Sequence, residues 1–322
     1  MKKFVALLLA LVMVMSLAAC GGSQTAAYPE DQITLICPLA AGGGSDAISR
    51  MFAAAMEKEL GVSVIVENKP GAGAGIGLEA IAAAEADGYT IGYIPAEVTT
   101  VKVMGNAEVT PADFEYICTA MKISALVCVP ANSEFNTLED LIAAAKAAPG
   151  TITLGTAGVG NAYELGLRAM LKEAGIELNI VNFSGGTAEA ITAMMGGNVQ
   201  CCTAGTSEAL PYVKNGEFKV LCNLSSVRSE LLPEIPTATE LGYACNGGSW
   251  GAFAAPAGTP AEVMEVLRAA AEKVMADEAF KADLIGRGFD LYNVKPADFK
   301  AEAEAMSVTN SAIVTEFGLS AN

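Results

Sequence analysis

The chain has 322 residues, 52% of them apolar, and carries 19 basic against 36 acidic side chains for a formal net charge of −17. That length predicts two domains, the apolar share excludes a disordered chain, and the negative balance excludes nucleic acid and anionic lipid headgroups as partners. No histidine occurs, which removes Ser-His-Asp and Cys-His catalysis and the commonest zinc ligand; Lys or carboxylate chemistry stays open, and the expectation is a non-enzyme without metal or cofactor.

Lys2 and Lys3 precede an apolar run from Phe4 to Ala19, broken only by Ser16. The run is shorter than the roughly 20 residues of a membrane span, and residues 1–19 read as a signal peptide. Leu17-Ala18-Ala19-Cys20 resembles the bacterial lipobox, which implies lipidation of the Cys20 thiol and anchoring on the extracytoplasmic face of the cell membrane. Ordinary cleavage after an A-x-A-like site is the alternative. Residues 20–27 then form a tether. Seven cysteines remain, with no C-x-x-C pair and most of them inside apolar runs, so free buried thiols are expected. Cys201 and Cys202 should face opposite sides of a strand.

Beyond the tether, strands alternate with helices. Residues 32–39 read as a buried strand, 45–60 as a helix with Ser45 as N-cap and Ile48, Phe52, Ala55 and Met56 on one face, and 62–68 as the next strand. "PGAGAGIG" gives a glycine-rich loop before a second helix, and 89–95 a third strand. The series resumes with a strand at 125–131, a helix at 137–148, the strand "ITLGT", a helix at 161–174, a strand at 178–183 and a helix at 187–195. A strand at 201–205, a short helix and a strand at 218–224 follow, then a helix-like "TATELG" after Pro233 and Pro236. Residues 248–260 read as a strand ending in a turn, and helices follow at 260–275, 278–287 and 296–316. The alternation predicts parallel sheets covered by helices on both faces, in two similar α/β domains with a cleft between them.

Three loops share one character. "AAGGGSD" follows the first strand and opens a helix, and "GTAGVGN" (155–161) and "SGGTAE" (184–189) do the same later. Glycines let a ligand approach the backbone, and amides at a helix start offer donors in a partly positive field, so each loop suits an anion. A tight strand-to-helix turn uses the same residues. A P-loop is disfavoured because Ser45-Asp46 stands where Gly-Lys-Ser/Thr is needed. Gly42-x-Gly44-x-x-Ala47 fits the dinucleotide fingerprint, with Glu67 placed as a ribose-binding acid, although nicotinamide cofactors are scarce outside the cytoplasm. Recurrence favours a carboxylate clamped from both sides, since such loops lie at the carboxyl ends of strands.

Six stretches taken in order, "YPEDQITLICPLAAGGGSDAISR", "VIVENKPGAGAGIG", "ADGYT", "GTAGVGN", "FSGGTAEAITAMMGGNV" and "WGAFAAPAGTPAEV", resemble the substrate-binding proteins of tripartite tricarboxylate transporters, the TctC or Bug family. The resemblance runs from Tyr28 to about Phe289. It implies a type II-like periplasmic-binding-protein fold, with one domain from residues 28–124 plus 247–322 and the other from 125–246, closing over one small organic acid. It also implies carboxylate capture by Ala41, Gly42, Gly43, Ser45 and Asp46 on one jaw and Thr156, Gly158, Gly160 and Asn161 on the other, partly through water. Ser184, Gly185, Gly186 and Thr187 would border the pocket, with Thr203. The implied partners are a di- or tricarboxylate or acidic amino-acid-like ligand, and the small and large membrane subunits of a transporter.

Asp46 would repel an anion, so it is expected to act through water, orient backbone, or simply favour the helix dipole, with Arg50 bridging to it at i,i+4. Glu97 stands where many relatives carry small hydroxyl residues and glycine. Facing the cleft, it would favour a ligand with an ammonium or hydroxyl group; facing solvent, it would do nothing. Tyr163 and Trp250 are further residues of interest, with a core role the commoner fate of a lone Trp. The resulting expectation is a lipid-anchored binding protein that delivers its acid to a membrane transporter. The alternatives are a sensing lipoprotein that touches a receptor kinase, and a dinucleotide-dependent oxidoreductase.

Overall fold

Two mixed sheets organise the chain in the computed structural model, which describes residues 28–183 and 186–320. Cys20 and its leader, Ser184 and Gly185 lie outside the described residues. The first sheet takes β1 (Ile33–Cys37), β2 (Val64–Asn68), β3 (Thr90–Pro95), β4 (Phe114–Ile123), β10 (Ser249–Pro256) and β11 (Asp290–Leu291), in the order β11-β4-β10-β3-β1-β2. The second takes β5 (Ala125–Pro130), β6 (Thr153–Ala157), β7 (Asn179–Phe183), β8 (Cys201–Gly205) and β9 (Phe218–Asn223), in the order β7-β6-β8-β5-β9.

Neither sheet is all-parallel, which corrects the expectation from the alternating pattern. β2-β1-β3 and β7-β6-β8 are parallel, whereas β10 is antiparallel to β3 and β4, and β5 is antiparallel to β8 and β9. The reason is connectivity between the lobes. Only Ser124 separates β4 from β5, and the chain returns between Asn223 and Ser249. The first strand after each crossing, β5 or β10, therefore starts at the cleft and runs away from it, against the strands whose carboxyl ends point in.

β4 was not legible as a strand because it is buried on both faces and carries no clean alternation. Residues 237–242, expected as a helix, form turns, with Thr237 bridging to Asn223 and its N–H bonded to Glu240.

Helices α1 (Gly44–Leu60), α2 (Gly75–Ala82), α7 (Ala261–Ala276), α8 (Glu278–Gly286) and α9 (Pro296–Glu316) cover the first sheet. β1 sends Ile33 and Leu35 to one face, against Phe52, Met56 and Phe253, and Ile36 to the other, with Leu78 and Phe299. Phe52 stacks on Phe253 at 3.7 Å between centroids. Trp250 is buried edge-on to Phe299, a core position. Helices α3 (Leu138–Ala147), α4 (Ala162–Ala174), α5 (Thr187–Met195) and α6 (Thr206–Lys214) cover the second sheet. Cys201 and Cys202 join its two opposite core clusters, and all seven described cysteines are free.

Contacts besides the crossing strands also join the lobes. Asp290 of β11 accepts bonds from the Ser229 hydroxyl (2.7 Å) and the Glu230 N–H (3.0 Å). The end of α9 lies on α4, where Leu165 packs with Val314 and Leu319 and Lys172 pairs with Glu316. Among the described residues no helix is long and apolar enough to cross a membrane.

Candidate functional site

Ala41 to Gly44 follow β1 as an exposed loop. α1 starts on Gly43 as N-cap, with no side chain bonded to its first amides. Ser45 is thus the second helical residue and not the cap, and its hydroxyl lies near the Tyr93 phenol. The first N–H groups of a helix lack intrahelical partners, so this end presents free donors at a positive pole. Gly42 holds φ +84°, a left-handed conformation that glycine adopts without strain.

Asp46 points beneath the loop. Its Oδ2 accepts the Gly42 N–H (2.9 Å) and Arg50 Nε (3.1 Å), while Oδ1 accepts Asn68 Nδ2 (2.9 Å) and pairs with the Arg50 terminal nitrogen (2.9 Å). Arg50, followed by the Gly42 amide, holds the Asp46 carboxyl down at about 2 against an ordinary 3.8. Asp46 is therefore an orienter of backbone, and Arg50 its bridge.

The second jaw repeats the arrangement. Gly160, at φ +75°, donates its N–H to Glu164 Oε2 at 2.7 Å. Asn182 Nδ2 reaches the same oxygen at 3.1 Å, and Arg168 grips Oε1 with Nε (2.9 Å) and a terminal nitrogen (2.6 Å). Asn161 caps α4, its Oδ1 accepting from the Tyr163 and Glu164 amides and its Nδ2 donating to the Ala157 and Gly158 carbonyls. That side chain is fully occupied with the loop, and Gly158 beside it is exposed. Thr156 and Thr203 are both fully buried with their hydroxyls bonded to each other (2.7 Å), so they lie under this jaw and not on its surface.

α5 also starts on a glycine, Gly186 at φ +81°, without a side-chain cap. Thr187 behind it is buried near Glu208, whose Oε2 takes the Gly205 N–H at 3.0 Å. Burial pushes the Glu208 carboxyl up.

Tyr93, Tyr163 and Glu97 lie where the lobes meet. The Tyr163 phenol packs on Gly205, beside Ile123 and Glu208. Burial raises both phenols, and the charge of Glu97 adds to the rise in each. Glu97 sits in the single turn Ala96–Thr99 after β3, and its Oε2 is buried without a hydrogen-bond partner. Burial raises its carboxyl as well. Met104, a few residues on in the first lobe, lies against Gly160 of the second.

Glu67 does not face the glycine loop as a ribose-binding acid would. It is exposed and pairs with Lys69 at 3.4 Å. The residues that sequence reasoning missed are Asn68, Glu164, Arg168, Asn182, Glu208 and Tyr93. One signal was available for two of them: glycine, an acid four residues on and an arginine four further occur at 42-46-50 and at 160-164-168.

Comparison with known proteins fits this geometry. The model of the tripartite tricarboxylate transporter family receptor matches residues 48–319. A UPF0065 protein of Bordetella pertussis is 30% identical over 333 residues, with 99% of each chain covered. The crystal structure of a TctC solute binding protein from Polaromonas, without ligand, is similar at a TM-score of 0.83 and 29% identity, covering 90% of this chain and 99% of that one. MatC of Rhodopseudomonas palustris, solved with bound malate, shares the fold at a TM-score of 0.71 and 22% identity, covering 89% of this chain and 100% of that one. The two-lobed α/β architecture is that of periplasmic binding proteins.

Proposed function

The chain belongs to the tripartite tricarboxylate transporter receptor family, and from that premise we propose that it is an extracytoplasmic solute-binding protein whose lobes close over one small organic carboxylate. The observation that carries the reading is the pair of helices α1 and α5, which start on Gly43 and Gly186 with no side-chain cap. An uncapped helix start beside a cleft favours an external anion as its cap. The exposed Gly158 and the buried Gly160 form the facing edge of the second lobe. Cys20 anchors the protein by lipid, the domains divide at 28–124 plus 247–322 and 125–246, and the bound acid is passed by hinge opening to the small and large membrane subunits. No bond is made or broken in the cycle.

The ligand is a di- or tricarboxylate or an acidic amino-acid-like compound. The malate held by the R. palustris protein supports that class. The unpartnered Glu97 oxygen supports an acid that also carries a hydroxyl or ammonium donor, because a buried acceptor left unsatisfied is costly.

Thermal unfolding of the chain from Gly21 onward, with malate, succinate, citrate, aspartate, glutamate and NAD in turn, tests the reading. A ligand at about 100 times its Kd stabilises the native state by about 2.7 kcal/mol, so one class of acid is expected to raise Tm by several degrees. A rise with NAD and with no acid would overturn it.

A further inference from the structure

We propose that Asp46, Arg50 and Asn68 in one lobe, and Glu164, Arg168 and Asn182 in the other, are two copies of one positioning device that turns an acid into a support for anion capture; this rests on the carboxylate reading above. The problem the device solves is electrostatic. The chain carries a net charge of −17, and each jaw places a carboxylate within one helical turn of the loop that must receive an anion.

The two solutions use the same set of partners and divide the acid's oxygens differently: the Gly42 amide shares Oδ2 of Asp46 with Arg50, and the Gly160 amide shares Oε2 of Glu164 with Asn182. In each lobe a glycine with positive φ gives its N–H to an acid four residues later, and an arginine four residues beyond that grips the same acid. An asparagine at the carboxyl end of the neighbouring strand donates to the acid and also to a loop carbonyl, Asn68 to Leu39 (3.1 Å) and Asn182 to Ala157 (3.3 Å). The asparagines stand in similar places but one residue apart in register, Asn68 opposite Cys37, the last residue of β1, and Asn182 opposite Thr156, the last but one of β6.

Two physical consequences follow. The arginine cancels the acid, so the field at the loop is left to the positive helix end. The acid and asparagine fix the glycine loop before a ligand arrives, which removes an ordering cost from binding. The copies differ in exposure: the Arg50 side chain is 53% exposed and the Arg168 side chain 19%. Arg168 also lies over the Phe317 ring, 5.1 Å from its centroid, beyond the end of α9. Solvent screens Arg50 more, so the second jaw depends more on its arginine.

The test uses malate as probe, with Arg50→Gln, Arg168→Gln and the doubles Arg50→Gln/Asp46→Asn and Arg168→Gln/Glu164→Gln. Arg168→Gln, which leaves its acid uncancelled, is expected to weaken malate at least about ten-fold, and Arg50→Gln less. Each double keeps an acceptor for the glycine amide but removes the charge, and is expected to recover most of the loss. A double as weak as its single, or weaker, would mean the residues only hold the fold, and the device would be abandoned. If the wild type binds no acid, the carboxylate reading fails by itself, and the device is then decided in the ligand-free protein by NMR. There the Gly42 and Gly160 amide protons should move upfield in Asp46→Ala and Glu164→Ala and hold in Asp46→Asn and Glu164→Gln; unmoved resonances would sink it.

Discussion

Glu164→Ala lowers the stability of the second lobe by about 3 kcal/mol, a fall in Tm of roughly 10 °C. Glu164 is fully buried and is the common acceptor for the Gly160 amide, the Asn182 amide and both gripping nitrogens of Arg168. Truncation strands all of them, and stranded donors cost more than the net worth of the bonds they made. Arg168 is partly open to solvent, which holds the loss near the low end of the range for buried ion pairs. Glu164→Gln keeps one acceptor oxygen and is expected to lose about 1 kcal/mol. Thermal unfolding of both variants by circular dichroism checks the pair. Equal, small losses would mean that water takes over the roles of Glu164 and that the jaw is not held from below.

Glu97→Gln moves stability and binding in opposite directions. Burial raises the Glu97 carboxyl above its unfolded value near 4.3, so its contribution is fully present below that pH and is lost as pH rises through the folded value. The variant is therefore more stable than wild type at pH 7, and the gain shrinks to nothing below about pH 4. Glu208 is raised by burial too and has the same sign, whereas Asp46 is lowered and loses its contribution as pH falls towards about 2. These two are unchanged in the variant, so the difference between the two proteins isolates Glu97. In binding, loss of the charged acceptor weakens malate or aspartate relative to succinate by roughly 30-fold, the worth of about 2 kcal/mol for a bond to a charged group. Tm between pH 4 and 8 and titration with the three acids give both readouts. A variant that is no more stable at pH 7 and discriminates as wild type does would remove Glu97 from the site.

Local chemistry was legible in the sequence, and long-range pairing was not. Asn161 sits where an N-cap should, and the strand Cys201–Gly205 and the helix Thr187–Met195 fall where composition put them. Their capping and turn residues are adjacent in the chain. Ser45 misled because a hydroxyl beside a glycine run looks like a cap, whereas the helix begins one residue earlier on bare backbone. The antiparallel placement of β10 and β5 follows from where the chain crosses between lobes, which periodicity does not encode. The spacing of glycine, acid and arginine could be read at 42–50 and 160–168, yet its meaning needs Asn68 and Asn182. Those arrive from strands 22 and 18 residues after the respective acids, through sheet register alone.

The central claim is that an anion caps the bare start of α1 and is closed over by the second lobe. A crystal structure of the protein grown with the acid that most raises Tm tests it most directly. The account predicts a ligand carboxylate within hydrogen-bond distance of the amides of Gly43 to Ser45, with the Gly158–Gly160 loop opposite it. A ligand seated elsewhere, for instance in the groove lined by Arg168, Leu171, Ile176 and Phe317, would contradict it.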